Sequence, residues 1–264
     1  MKKTILGLLA VFCATQAVTL AIVDLVTVPS PDSPGGREPR IRYLEGGDTI
    51  ASSLYIYVFL MACVGFIAVA MKLGLAKTLF RNLESAIVFV SLFLLLQSVY
   101  PQGTFAWLAV AAGVAGLKRL YAHWLLATGL SILTAATVGA IMGMNLSIVP
   151  VIALMGYLSV YDVIAVRFSK HMSLVAESVR GSRSTFLIEM PGMESAVGIS
   201  DLAVPSMFVA SCALTYSAMG ALWVALGGAF GLGFAIVVSD KKGMVPAIPF
   251  VFAGSMATYL AMVV

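Results

Sequence analysis

Charge is scarce in this 264-residue sequence: 11% of the residues are charged and 61% are hydrophobic. A soluble domain carries about 25% charged residues. With so few, the chain cannot cover itself with polar groups in water, and mean hydropathy stands at +1.02. Cysteine is rarer still. Cys13, Cys63 and Cys212 all lie in apolar runs without zinc-type spacing, which argues against a disulfide framework and a zinc ribbon. The 2 histidines, His123 and His171, fall in separate loops and form no metal site with each other. The apolar runs are continuous, not alternating, which disfavours a β-barrel. Low-complexity tracts and clear internal repeats are also missing.

What is present is apolar sequence in lengths that cross a bilayer, for which a helix needs about 20 residues. Nine candidate spans fall at 4–28, 50–72, 83–100, 103–117, 122–144, 146–166, 196–216, 219–238 and 245–264. The expected class is an all-α polytopic membrane protein. The first span opens with Met1-Lys2-Lys3 and so resembles a signal peptide. Its length and the lack of a clean cleavage pattern favour a retained helix. Two polar stretches interrupt the spans: a Pro/Gly-rich loop over 29–49 and a longer insertion over 167–195. The organisation expected is six helices over 1–166, a cytoplasmic loop over 167–195 and three helices over 196–264. Gly227 and Gly231, in "GALWVALGGAFGLGF", have no strand before them and no phosphate-binding context. They read as close helix packing within a membrane.

Lys and Arg divide unevenly between the two sides. Nine spans leave Arg37, Arg40 and Arg42 on one side and thirteen of the 16 basic residues on the other. The positive-inside rule then puts the N-terminus in the cytoplasm and the C-terminus outside. This topology explains the net charge of +4 without nucleic acid. The bilayer is the expected partner.

Three acids fall inside the spans: Asp24, Asp162 and Asp201. Asp162 is five residues short of Arg167 at the inner end of the sixth span, about 8 Å inside at 1.5 Å per residue. Asp201 is seven residues past Glu194 on the seventh, about 10 Å inside. The two are at one depth on sequence-adjacent, antiparallel helices, whereas Asp24 lies near the opposite face. Two carboxyl groups at one level in a low-dielectric site do not both ionise readily and come to share a proton. That arrangement serves an aspartic protease, where one carboxylate activates a water and the other acid polarises the peptide carbonyl. It also serves a proton- or cation-coupled transporter or channel, since intramembrane acids mark such paths. A purely structural hydrogen-bonding role is the third reading.

The residues around these acids carry a resemblance. Tyr161-Asp162 in "SVYDV" is similar to the YD motif of the presenilin and signal peptide peptidase family of intramembrane aspartyl proteases. "VGISDLAVPSM", 197–207, resembles its GxGD motif, with Gly198, Ser200 and Asp201 in place; Ser200 stands where the family has its second glycine. "VPAIPF", 245–250, resembles its PAL motif, with Pro246, Ala247 and Ile248. The resemblance implies a presenilin-like fold of nine transmembrane helices. It makes Asp162 and Asp201 catalytic, without metal or cofactor. Tyr161, Gly198, Ser200, Pro246, Ala247 and Ile248 would support the site and receive substrate. The substrates implied are single-span membrane proteins or peptides whose N-termini lie outside, with oligomerisation left open. The chain looks most like the compact archaeal or bacterial members, in a prokaryotic plasma membrane. Ser200 brings a Cβ and a hydroxyl to a place where glycine permits close approach, which admits a less active relative. "STFLI", 184–188, reads either as a strand that pairs with extended substrate or as a segment resting on the membrane surface. Asn145-Leu146-Ser147 matches a glycosylation sequon in a loop too tight to favour its use.

Overall fold

A computed structural model describes residues 2–29, 37–41, 43, 49–72, 76–121, 123–168, 186–189, 196–242 and 245–263. His171, Arg42 and Glu194 lie outside the described residues, as do Lys170, Arg180 and Arg183 among the thirteen basic residues of the expected cytoplasmic side. Among the described residues nine α-helices follow one another, one for each apolar run. They are α1 (Lys2–Val26), α2 (Ile50–Lys72), α3 (Ala76–Val99), α4 (Thr104–Leu120), α5 (Trp124–Asn145), α6 (Ile148–Phe168), α7 (Ile199–Thr215), α8 (Ala218–Lys242) and α9 (Ile248–Val263). Six are long and apolar enough to cross a membrane: α1, α2, α3, α5, α6 and α8. α4 and α7 have 17 residues and α9 has 16, so they fall short of the full hydrocarbon width. α3 and α8 overrun their apolar runs through Lys77 and Lys242, because backbone hydrogen bonding continues where the hydrocarbon ends.

Two short antiparallel strand pairs join the helices. β1 (Thr27–Pro29) and β2 (Arg37–Pro39) pair with Thr27 opposite Pro39; β1 takes the last two residues of the expected first span, because the strand pairing ends α1 at Val26, and β2 lies in the expected loop. An exposed Asp24–Arg37 ion pair links β2 to the last turn of α1. Beyond it, the Tyr43 N–H donates to Asn145 Oδ1 at 2.6 Å and the Tyr43 hydroxyl meets Ser98 Oγ at 2.8 Å. The C-terminal ends of α1, α3 and α5 are thereby tied together. Asn145 also donates to the Ile141 carbonyl and is only 9% exposed, so the sequon nitrogen is turned inward. β3 (Leu187–Glu189) and β4 (Ala196–Gly198) form the second pair, with Leu187 opposite Gly198.

α5 lies at the centre, against α1, α3, α7 and β3. Glycine sets how closely it meets α7. A Cβ on Gly139 would strike Ser206 and the Ala203 carbonyl, and one on Gly143 the Met207 carbonyl. Gly227, Gly231 and Gly254 do the same between α8 and α9. Lipid tails are as apolar as the helices, so close backbone approach replaces the hydrophobic effect as the source of association. Leu8 and Phe12 of α1 meet Leu202 of α7, whereas Ile22 and Val26 meet Ala210. The two helices therefore run parallel, and α1 is an integral part of the bundle. One ion pair, Lys118–Glu84, is buried between α4 and α3.

Candidate active site

Three chain segments converge: the last turns of α6, the first turn of α7 and the start of α9. Each is placed by local chemistry. α9 begins at Ile248 because Pro246 and Pro249 remove two backbone donors, and prolines are tolerated only where a helix has not yet closed its first turn. The first N–H groups of a helix have no partner within it. Here those of Ala247 and Ile248 turn to Asp162, whose Oδ2 accepts from the Ile248 N–H at 3.1 Å. Asp162 is 7% exposed, so this carboxyl group is held by the α9 terminus and shielded from surroundings. A negative group at a helix N-terminus also meets the positive end of the helix dipole.

Asp201 is the third residue of α7. Its Oδ2 accepts from the Gly198 N–H at 3.3 Å, so the acid closes the turn that introduces its own helix. The β3–β4 pair leads directly into that turn, and the Ile199 N–H donates to the Phe186 carbonyl at 3.0 Å. Ile188 and Val197 anchor the hairpin in the core beside Leu8, Phe12 and Leu202. Pro205, four residues past Asp201, lacks the N–H that would bond the Asp201 carbonyl. The turn bearing Asp201 is therefore set largely by the hairpin.

α6 packs against α7 and α9, and the charge of Asp162 reaches Asp201. The structure thus brings Asp162, Asp201, Gly198, Ala247 and Ile248 together. Asp24 is near the far end of α1, ion-paired with Arg37. Tyr161, half-buried, stands within electrostatic range of both Asp162 and Tyr57 of α2. Ser200 is exposed at the start of α7. A Cβ on Gly198 would lie 3.4 Å from Asp201 Oδ2 and from Ser200 Oγ, which is ordinary contact. Gly198 has φ −71° and ψ 148°, open to any residue, so its backbone does not require glycine. Of "STFLI", Leu187 and Ile188 are in β3, Phe186 is in the turn before it, and Ser184 and Thr185 lie outside the described residues. His123 caps α5, its Nδ1 accepting from the Leu125 N–H.

Two polar residues near these elements, Gln16 and Ser159, were not singled out from the sequence. Gln16, 3% exposed in the middle of α1, accepts from Ser206 Oγ of α7 at 3.3 Å. Ser159 is buried on α6 one turn before Asp162. A lone amide within an apolar run signals Gln16; serine, common in membrane helices, gives no such signal.

Fold and site together define a polytopic α-helical membrane protein with two acids from adjacent helices at one end of its bundle. A family model described as "Signal-peptide peptidase, presenilin aspartyl protease" matches residues 10–196, and the chain belongs to this family. The match includes Tyr161-Asp162 and stops before Asp201. Two solved structures of a presenilin family intramembrane aspartate protease, in C222 and P2 space groups, share the fold with a TM-score of 0.69. Each is 22% identical to this chain and covers 97% of it, the matched part being 97% and 96% of those chains. No curated protein matches. The family and the shared fold do not favour the transporter reading.

Proposed function

We propose that this protein is an intramembrane aspartic endopeptidase, with Asp162 and Asp201 as its catalytic pair. The observation that carries the reading is the meeting of these two acids beside the N-terminus of α9, in a chain of this family. One carboxylate takes a proton from a water held between the pair, and the hydroxide adds to the scissile carbonyl. The other acid donates its proton to the developing oxyanion. Collapse of the tetrahedral intermediate expels the amine, which takes a proton from the pair. The charge bias supports nine spans, with the N-terminus in the cytoplasm and the C-terminus outside. The catalytic pair then lies near the cytoplasmic face, within reach of water.

A helix hides its peptide bonds, so substrate must unwind at the site. The β3–β4 pair, three residues from Asp201, offers a strand for extended substrate to join. Gly198, Ser200 and the segment Pro246-Ala247-Ile248 border this path and receive the peptide, and Tyr161 donates to the site beside Asp162. The substrates are single-span membrane proteins with N-termini outside.

The test is cleavage of a single-span substrate by protein reconstituted in liposomes. Asp162→Asn and Asp201→Asn each lower cleavage by about 10²-fold or more, the lower range for a general acid or base. Both retain the wild-type unfolding temperature. Undiminished cleavage by either folded variant refutes the mechanism.

A further inference from the structure

Most buried serines and threonines among the described residues satisfy their hydroxyls within the bundle, Ser211 and Ser255 by donating to the Leu146 and Val224 carbonyls of other segments. Thr15, Thr19, Ser91, Ser98, Ser131 and Ser206 each donate to a carbonyl three or four residues back in their own helix. This is the ordinary way for a membrane helix to satisfy a hydroxyl. Two buried hydroxyls, those of Thr137 and Ser159, have no partner among the described residues, and of the two Ser159 stands beside the acids. It is 8% exposed. A buried hydroxyl without a partner is destabilising, and one that stands beside the acids is placed to gain a partner when substrate arrives.

The location indicates which partner. Ser159 precedes Asp162 by three residues, so both lie on one side of α6, with the serine about 4.5 Å nearer the middle of the helix. Under the proposed topology, substrate reaches the acids as a helix running from the outside inward. Where it unwinds, its last four carbonyls lose their partners. These carbonyls point along the chain toward the acids. They come from the side on which Ser159 stands. Asp162 is already occupied by the α9 backbone donors and is an acceptor itself. Capping a carbonyl requires a donor, and the Ser159 hydroxyl is one left free.

We infer that Ser159 is a substrate-binding residue whose hydroxyl donates to an orphaned backbone carbonyl at the end of the substrate helix, one turn to the outer side of the scissile bond. This rests on the protease reading and adds a subsite to it. The subsite recognises backbone, so it serves any single-span substrate that unwinds there, whatever its side chains.

Ser159→Ala separates this role from a structural one. Removing an unpaired buried hydroxyl leaves the unfolding temperature unchanged or raised. KM for a single-span peptide in liposomes rises about 3- to 10-fold, the loss expected for one neutral hydrogen bond, while kcat stays within about twofold. Thr137→Val is the control. Thr137 Oγ1 is equally buried and unpartnered among the described residues, but lies on α5, and its loss leaves KM unchanged. Wild-type KM in Ser159→Ala overturns the inference, as does a loss of cleavage that parallels a lowered unfolding temperature. Should Ser159→Ala fail to fold, Ser159→Cys decides. It keeps the volume with a weak donor, so a raised KM supports the role and an unchanged KM overturns it. Full cleavage by Asp162→Asn defeats the protease reading itself; normal KM in Ser159→Ala defeats only the role of the hydroxyl.

Discussion

Adding one methyl group at Gly231 is expected to disturb Asp162 from across the bundle. Gly231 lies on α8, where a Cβ would collide with the Phe250 carbonyl and stand 2.7 Å from its carbon and 2.9 Å from the Val251 Cα. Ordinary contact begins at 3.4 Å, so α9 must retreat by about 0.7 Å or more. Phe250 is two residues from Ile248, whose N–H holds Asp162 at 3.1 Å. A retreat of that size along the bond carries the pair beyond the 3.5 Å limit of a hydrogen bond. A bond to a charged group contributes about 1.5–3 kcal/mol, equivalent to about 10- to 100-fold in kcat/KM. Overpacking also costs about 1–3 kcal/mol of stability. Gly233→Ala is the matched control, since its Cβ meets only Leu9 methyls at 3.8 Å and gains helix propensity. The assay is kcat/KM on a single-span substrate in liposomes, beside thermal unfolding of each variant. Wild-type rate and stability in Gly231→Ala would show that α8 does not fix the α9 terminus.

Two further substitutions probe the supports of the site. Lys118→Met removes a charged hydrogen bond to buried Glu84 and is expected to cost about 1.5–3 kcal/mol, whereas adding Glu84→Gln recovers much of that; equal stability of single and double variants in thermal unfolding argues against coupling between the two. Ile188→Ala empties a side chain that is 1% exposed and is expected to destabilise by about 2–5 kcal/mol. Because the hairpin introduces Asp201, this variant also loses more cleavage than an equally destabilising change in α4; matched losses separate hairpin from site.

The apolar runs were legible because a helix that meets lipid must be apolar all round, and each run became one helix. Their ends were less so. Residues 196–198 belong to a strand because their partner, Leu187–Glu189, lies across a polar insertion, and no local pattern records that pairing. The β1–β2 pair was hidden for the same reason, within a stretch rich in turn residues. Asp162 and Asp201 stood out because carboxylates are costly at those depths, and counting residues from the span ends put them at one level. The grip of the α9 terminus on Asp162 was not readable, since it uses backbone groups that every residue has. Gly227 and Gly231 were legible as packing sites, but their partner, α9, emerged only from the fold. Gln16, Ser159 and Lys118–Glu84 depend on which helices are neighbours, which periodicity leaves open.

Pro205 and the hairpin together give the start of α7 an unusual independence. A helix normally defends its first turn through its own ladder of bonds, and here one rung is absent at Asp201 while an outside strand supplies the grip. Loosening that strand frees the acid-bearing turn while the glycine-packed body of α7 stays seated against α5. A change that weakens the hairpin is therefore expected to reach Asp201 before it reaches the packing of the bundle.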